Sequence, residues 1–382
     1  MSATYAAPWL PRGALVQLDS PHPARYLVRL NAHTLNHGMP ARRRGGRAWA
    51  VLGRRGLPVE VGARALRLAP RRAGADLATL RTALEHAWPR LAVASDRLPR
   101  RAPRMTFLAL RRSAGRFVFV FGDGPDPLLL LKPPSASTTA ESTALAQVAG
   151  TGVAPRELPA VAGLLVQEGL PGMPLWVLAP GAPGWSAGYD RSFEGLGEAL
   201  VEVAGHTAHR AGQPALAEQL VRATEAVSSP VARRVDAARR DLAGLDTAVL
   251  EHHDLSAQNW LVGADGRFAG LVDWEEARVA GLPGYDALHA AVALVEHGVA
   301  LRAWSQQHVV ETFTAAWHDE PFLEQARDWH RRCVVAATGS DRLAEPLVVA
   351  YFASRLARRL TGGGPRLLEP ATASAMLEVV AR

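Results

Sequence analysis

Leu250-Glu-His-His-Asp-Leu-Ser-Ala-Gln-Asn-Trp-Leu-Val262 and, after eight intervening residues, Leu271-Val-Asp-Trp-Glu275 carry the most informative spacing in this chain. Reduced to side chains that move protons or bind metals, they read His252-x-Asp254, then Asn259 five residues on, then Asp273 fourteen further. Such residues between short apolar runs predict extended pieces near His252–Val262 and Gly270–Trp274, with the polar groups carried on a loop. A lone His-x-Asp carries little meaning; its combination with Asn259, Asp273-Trp-Glu and Gly281-x-Pro283-x-x-Asp286 is far more restrictive. His252–His253 also suggests zinc, but no third ligand stands at a tetrahedral-site spacing.

Upstream, one residue stands out. Lys132 is the single lysine among 43 basic residues, every other one being arginine. Arginine is a planar fork and lysine a compact charge, so a lone surviving lysine points to a chemical requirement. It ends the third of three β-like runs, Thr106–Arg111, Arg116–Phe121 and Pro127–Leu131 with Lys132, separated by Ser113–Gly115 and Gly122–Gly124. A helix over Ser135–Val148 follows, with Thr138 or Thr139 as its cap, then strands at Glu157–Val161 and Leu164–Glu168. After Pro174 the apolar spacing is helical, with helices near 190–211, 214–227, 230–243, 284–298, 302–317, 321–336, 343–360 and 369–381. The fold class is α+β: a small β-sheet lobe with one helix, then a large, mainly helical C-terminal lobe, both preceded by an extra N-terminal region. The expected parts are 1–104, 105–172 and 173–382.

The words His-x-Asp-Leu-x-x-x-Asn, Val-Asp-Trp-Glu-x-Ala and Gly-x-Pro-x-x-Asp resemble those of the aminoglycoside phosphotransferase and choline kinase family, which has a two-lobed protein-kinase-like fold. Matched motifs cover about 105–300; residues 300–382 share only helical character. The resemblance implies a small-molecule kinase that moves the γ-phosphate of ATP, with GTP also open as donor, to a hydroxyl of a sugar, aminoglycoside or amino alcohol. Asp254 would be the catalytic base, and His252 would hold its loop by hydrogen bonds. Asn259 and Asp273 offer hard oxygens suited to Mg²⁺. Lys132 would contact nucleotide phosphates and pair with Glu141 in Glu-x-x-x-Leu-x-x-Val. Leu165-Val-Gln-Glu-Gly-Leu-Pro-Gly172 looks like the hinge, where backbone groups near Gln167, Glu168 and Leu170 would bind the adenine edge. Asp286 would brace the catalytic region. The sequence departs from the family at His253, where glycine is usual, in the Pro133–Pro134 pair behind the lysine, and in lacking a Gly-x-Gly-x-x-Gly loop.

The competing reading is a catalytically silent kinase fold acting as scaffold or sensor, motivated by His253 and the unusual Lys132 loop. A third concerns residues 1–104 alone, where 19 arginines face five acids, a formal +14 that leaves −7 for the rest of a chain at +7. Arg42–Arg44, Arg54–Arg55 and Arg97–Arg104 could attract nucleic acid, but no recognition motif accompanies them, and nucleic acid is not an expected partner. Bracing the small lobe or covering the cleft is the preferred role for this region. One helix is expected there, from Asp76 to Trp88, ending before Pro89. The acidic balance beyond it mildly favours a cationic acceptor, and Glu275 and Glu276 either line a pocket for it or sit solvated. No apolar run reaches a membrane span, no secretory signal is visible, and the single Cys333 excludes an internal disulfide. A cytoplasmic protein is expected, and nothing in the sequence specifies an oligomer.

Overall fold

The computed structural model describes residues 16–18, 74–112, 115–124, 126–175, 185–212, 214–257, 259–263, 265–302, 305–319, 321–362 and 369–381. Arg42–Arg44, Arg54–Arg55 and the Ser113–Ala114 turn lie outside them. The chain divides into two compact units, Met1–Ser192 with Gln258–Glu275, and Phe193–Ala257 with Glu276–Arg382. The sequence-based boundary at residue 104 falls inside the first unit.

That unit is built on a six-stranded antiparallel sheet: β1 (Val16–Leu18), β2 (Thr106–Arg112), β3 (Gly115–Phe121), β4 (Pro127–Lys132), β5 (Glu157–Val161) and β6 (Leu164–Glu168), in the order β1-β2-β3-β4-β6-β5. The register alternates the two faces. Phe107 pairs with Val120, Val120 with Leu129, and Leu131 with Val166, so these apolar side chains share one face. Helix α1 (Gly74–Ala94) covers it, burying Leu84, Trp88 and Leu91 in one cluster with that row. The helix does not stop before Pro89 as expected; it runs through it. Proline removes one backbone bond and crowds the preceding turn, a cost of about 3 kcal/mol relative to alanine. Burial of Trp88 and Leu91 on either side of it outweighs that cost, at about 1.5–3 kcal/mol for each large side chain.

Helix α2 (Ala136–Gln147) follows the Pro133–Pro134 pair. Its cap is Ser135 and not Thr138 or Thr139: Ser135 Oγ accepts from the Thr138 N–H at 3.1 Å, and Thr138 Oγ1 accepts from the Ser135 N–H at 2.7 Å. Two prolines hold the chain extended up to Ser135, so the helix begins there. A second sheet of the same unit joins β7 (Met173–Pro174), β10 (Trp260–Val262) and β11 (Phe268–Leu271), with β10 central.

The second unit is mainly helical. Helix α3 (Trp185–Thr207) enters it and is followed by α4 (Pro214–Glu225), α5 (Ser229–Asp241), α6 (Tyr285–Arg302), α7 (Gln306–Asp319), α8 (Pro321–Thr338), α9 (Ala344–Leu360) and α10 (Pro370–Val380). A small sheet of β8 (His209–Arg210), β9 (Thr247–Glu251) and β12 (Arg278–Gly281), with β9 central, sits among them. Helix α9 is buried along most of its length, including Tyr351 and Phe352. Among the described residues, no helix is long and apolar enough to cross a membrane.

Candidate active site

The first unit assembles a charged cluster at the end of β4. Lys132 closes that strand on the sheet face opposite α1, its ammonium 5.9 Å from the Phe117 ring centre. Lys132 Nζ lies 2.7 and 2.8 Å from the two Glu141 oxygens, and both residues are buried. Glu141 comes from α2, so the nine-residue spacing, short as it is, closes the pair. Asp273 Oδ1 stands 3.4 Å from the same ammonium. Asp273 and Asn259 flank the β10–β11 pair: Trp260 pairs with Leu271, and the Val272 N–H donates to Asn259 O at 2.9 Å. One turn of antiparallel ladder therefore converts a fourteen-residue separation into proximity at one end of a strand pair. Asp273 has φ of +67°, a left-handed conformation that is strained for a residue with a Cβ. Such strain costs about 1–3 kcal/mol and collects at ligand-handling positions.

The hinge expected at Leu165–Gly172 begins inside the sheet. Gln167 pairs with Leu130 on one side and Glu157 on the other, while the Glu168 N–H donates to Arg156 O and the Gly169 N–H to Leu128 O. The first residue past this ladder is Leu170, whose side chain packs so close to β11 that a Cβ on Gly270 would lie 2.6 Å from it. Gln167 Nε2 is buried without a hydrogen-bond partner. The Glu168 carboxylate faces the α1 side and accepts a hydrogen bond from Ser95 Oγ, just beyond the helix; Arg97 Nε lies 4.0 Å from its other oxygen.

The second unit holds His252, His253 and Asp254 in the loop after β9. The Asp286 carboxylate, at the start of α6, accepts the His252 N–H at 2.6 Å and the His253 N–H at 3.0 Å. Burial, opposed by these two bonds, raises the Asp286 carboxyl to about 6. Asp254 is exposed, next to the buried His252. His253 has φ of +67°. Its ring is held by Arg358, whose Nη1 lies 2.8 Å from His253 Nε2, and burial together with that cation lowers the imidazole to about 3. Glu251 ends β9 fully buried and accepts the Leu282 N–H at 2.5 Å. Burial pushes its carboxyl to about 8. Gly281 leaves room for it, since a Cβ there would sit 2.2 Å from Glu251 Cγ.

The family model for the phosphotransferase enzyme family matches residues 129–334, slightly more than half the chain. The chain belongs to that family. Its fold is of the α+β class expected from the motifs, and the protein is a phosphotransferase. Among solved structures, a Ralstonia eutropha protein assigned as an aminoglycoside phosphotransferase matches at 13% identity and TM-score 0.48, over 78% of this chain and 98% of that one. The Streptomyces rimosus aminoglycoside phosphotransferase in complex with ADP and streptomycin matches at 15% and 0.34, over 69% and 98%. The choline kinase of Streptococcus pneumoniae matches at 13% and 0.34, over 69% and 89%. No curated protein matches.

Every site residue singled out in the sequence of this phosphotransferase lies within 129–334. The structure joins Lys132, Glu141 and Asp273 in one cluster, places Asn259 on the adjoining strand end, and sets His252 and Asp254 on a loop braced by Asp286. Sequence reasoning missed Ser95, Glu251 and Arg358. Only Glu251 left a signal, an acid at the end of an apolar run beside the motif. Trp260 and Trp274 are buried and donate to Ser192 Oγ and Leu271 O, as packing residues do. Among the described residues no group of three His, Cys, Asp or Glu could hold a metal ion.

Proposed function

We propose that this phosphotransferase moves the γ-phosphoryl group of a nucleoside triphosphate, ATP or GTP, to a hydroxyl of a sugar, aminoglycoside or amino alcohol. The observation that carries the reading is Lys132 Nζ held between Glu141 and Asp273, within 3.4 Å of both carboxylates. A cation fixed beside a carboxylate that can bind metal is what triphosphate binding requires. Asn259 and Asp273 fit Mg²⁺ as a pair of hard oxygen donors, since this ion takes one or two protein ligands and keeps water and phosphate oxygens for the rest. When bound, Mg²⁺ neutralises charge on the phosphate oxygens.

In the reaction, the acceptor oxygen attacks the γ-phosphorus, the bond to the β–γ bridging oxygen breaks, and the nucleoside diphosphate leaves. Asp254 takes the proton of the attacking hydroxyl, and its exposure leaves it open to an acceptor. The backbone bonds from His252 and His253 to Asp286 hold its loop. Lys132, oriented by Glu141, binds phosphate oxygens. Of the three hinge positions, Leu170 supplies the backbone for the base, because those of Gln167 and Glu168 lie within the sheet ladder. An acceptor that carries an amine suits the half-buried Glu275 and the acidic balance of residues 105–382. The three-part division at 104 and 172 describes these roles: brace, nucleotide lobe, acceptor lobe. The cytoplasm is the proposed compartment, supported by the one cysteine, Cys333, a buried free thiol.

The test is release of ADP or GDP, with Mg²⁺, from pools of aminoglycosides, amino alcohols and sugars, beside Asp254→Asn. The expected outcome is acceptor-dependent release that disappears in Asp254→Asn, with nucleotide affinity and melting temperature kept. Retained turnover in that variant removes Asp254 as the base. No release and no thermal shift with nucleotide and Mg²⁺ would favour a silent scaffold.

A further inference from the structure

The residue before Asp254 is in a conformation that glycine adopts freely and histidine resists. Something must hold it, and the surroundings of His253 show what does. Arg358, from the last turn of α9, places Nη1 2.8 Å from His253 Nε2 and Nη2 2.5 Å from Tyr285 Oη. Its guanidinium also lies over the Tyr285 ring, 5.5 Å from the centre. The Tyr285 ring in turn stands 5.4 Å from the His253 ring, tilted by 44°. On the far side, Glu251 Oε2 is 3.7 Å from His253 Nδ1. An imidazole that accepts at Nε2 carries its proton on Nδ1, facing that carboxyl. The ring is therefore held at Nε2 and packed on one face, while the His253 N–H is fixed to Asp286.

We infer that Arg358 is a positioning residue for Asp254: it clamps the His253 ring, holds the left-handed turn at that residue, and so fixes where the next carboxylate points. The inference rests on Asp254 being the base and adds a dependence on a helix some hundred residues further along the chain. Arg358 itself touches no reacting atom. Its guanidinium does by side-chain contact what a glycine at 253 would do by conformational freedom, and this gives the experiment its form.

The experiment crosses Arg358→Met with His253→Gly in the full chain, reading amide hydrogen exchange at residues 253 and 254 and nucleoside diphosphate release from the acceptor pools. With His253 present, Arg358→Met should speed exchange at these amides by ~10-fold or more through local opening. It should lower kcat by ~10- to 100-fold, the scale of a misplaced reacting group, with nucleotide KM within ~2-fold. With Gly at 253, the same substitution should change either quantity by less than ~3-fold, since no ring remains to be held. Equal effects in both backgrounds overturn the clamp, and so does unchanged exchange or an unchanged kcat in Arg358→Met. If Arg358→Met loses its cooperative melt, Tyr285→Phe takes its place; it removes one anchor of the guanidinium and should give the same pattern more weakly. Asp254→Asn runs alongside. Wild-type turnover in that variant, or an inactive wild type, sinks the catalytic reading alone, and the exchange data then judge the clamp by themselves.

Discussion

Lys132 shows why one lysine persists in a chain that otherwise uses arginine. Its ammonium touches three carboxylate oxygens from two residues, within 2.7–3.4 Å, and both it and Glu141 are buried. Three donors on one small atom can serve that arrangement; a planar fork cannot. Lys132→Arg should therefore raise nucleotide KM by ~10-fold or more, measured by diphosphate release, even with charge conserved. Lys132→Met should cost ~3–5 kcal/mol in urea unfolding because Glu141 is left buried and unpaired, and Lys132→Met with Glu141→Leu should recover part of that loss. Glu251 yields a prediction in pH. Its folded carboxyl holds a proton up to about pH 8, against 4.5 for an ordinary glutamate, so the unfolded chain gives up that proton first. Stability therefore falls as pH rises through that window, and Asp286, raised to about 6 from 3.8, acts in the same direction at lower pH. Below about pH 6.5 the buried His253, whose imidazole is lowered to about 3, acts the other way, so the melting temperature should drop from roughly pH 6.5 to pH 9, and Glu251→Gln should flatten that drop. A profile as steep as the wild type's would assign the dependence to other groups.

Helix α1 is the element in which local and tertiary preferences oppose each other. Pro89 is exposed, so it contributes little packing, yet it interrupts the backbone ladder. Pro89→Ala should stabilise the protein by up to ~3 kcal/mol, and Trp88→Ala should cost ~3–5 kcal/mol, both read by denaturant unfolding. A neutral Pro89→Ala would mean that the helix has already adapted its geometry there. The same opposition marks what the sequence could reveal. The strands from Thr106 to Glu168 and the long helices were legible because an apolar period repeats along them. Helix α1 was legible to Trp88 and then hidden, because a proline rule is local and the burial that overrides it comes from strands many residues away. The strands His209–Arg210 and Arg278–Gly281 are short and mostly exposed, so no apolar pattern announces them. At the site, Asp254, Asn259 and Asp273 were marked by spacing within one segment. Ser95 against Glu168 and Arg358 against His253 are contacts between distant segments, made by residues that look like their neighbours in sequence.

At the scale of the molecule, the chain leaves the first unit after Ser192, returns at Gln258 and leaves again after Glu275. The motif that looks continuous in sequence is thereby divided, with Asp254 assigned to one unit and Asn259 and Asp273 to the other. Spacing alone could not show this, since it measures distance along the chain and not membership of a core. Leu84, Trp88 and Leu91, all ahead of residue 105, also belong to the core of the first unit. Removing residues 1–104 should yield a chain that binds apolar dyes and aggregates, and a soluble truncation with a cooperative melt would refute this. The order of synthesis gives the same helix a further consequence. Translation at ~5–20 residues per second completes α1 about 4–15 s before Glu168, the end of the last strand it covers. The cover is thus made before the surface it protects. During those seconds the Trp88 stripe is what a ribosome-bound chaperone meets, and the strands from Thr106 to Glu168 emerge with their cover already made.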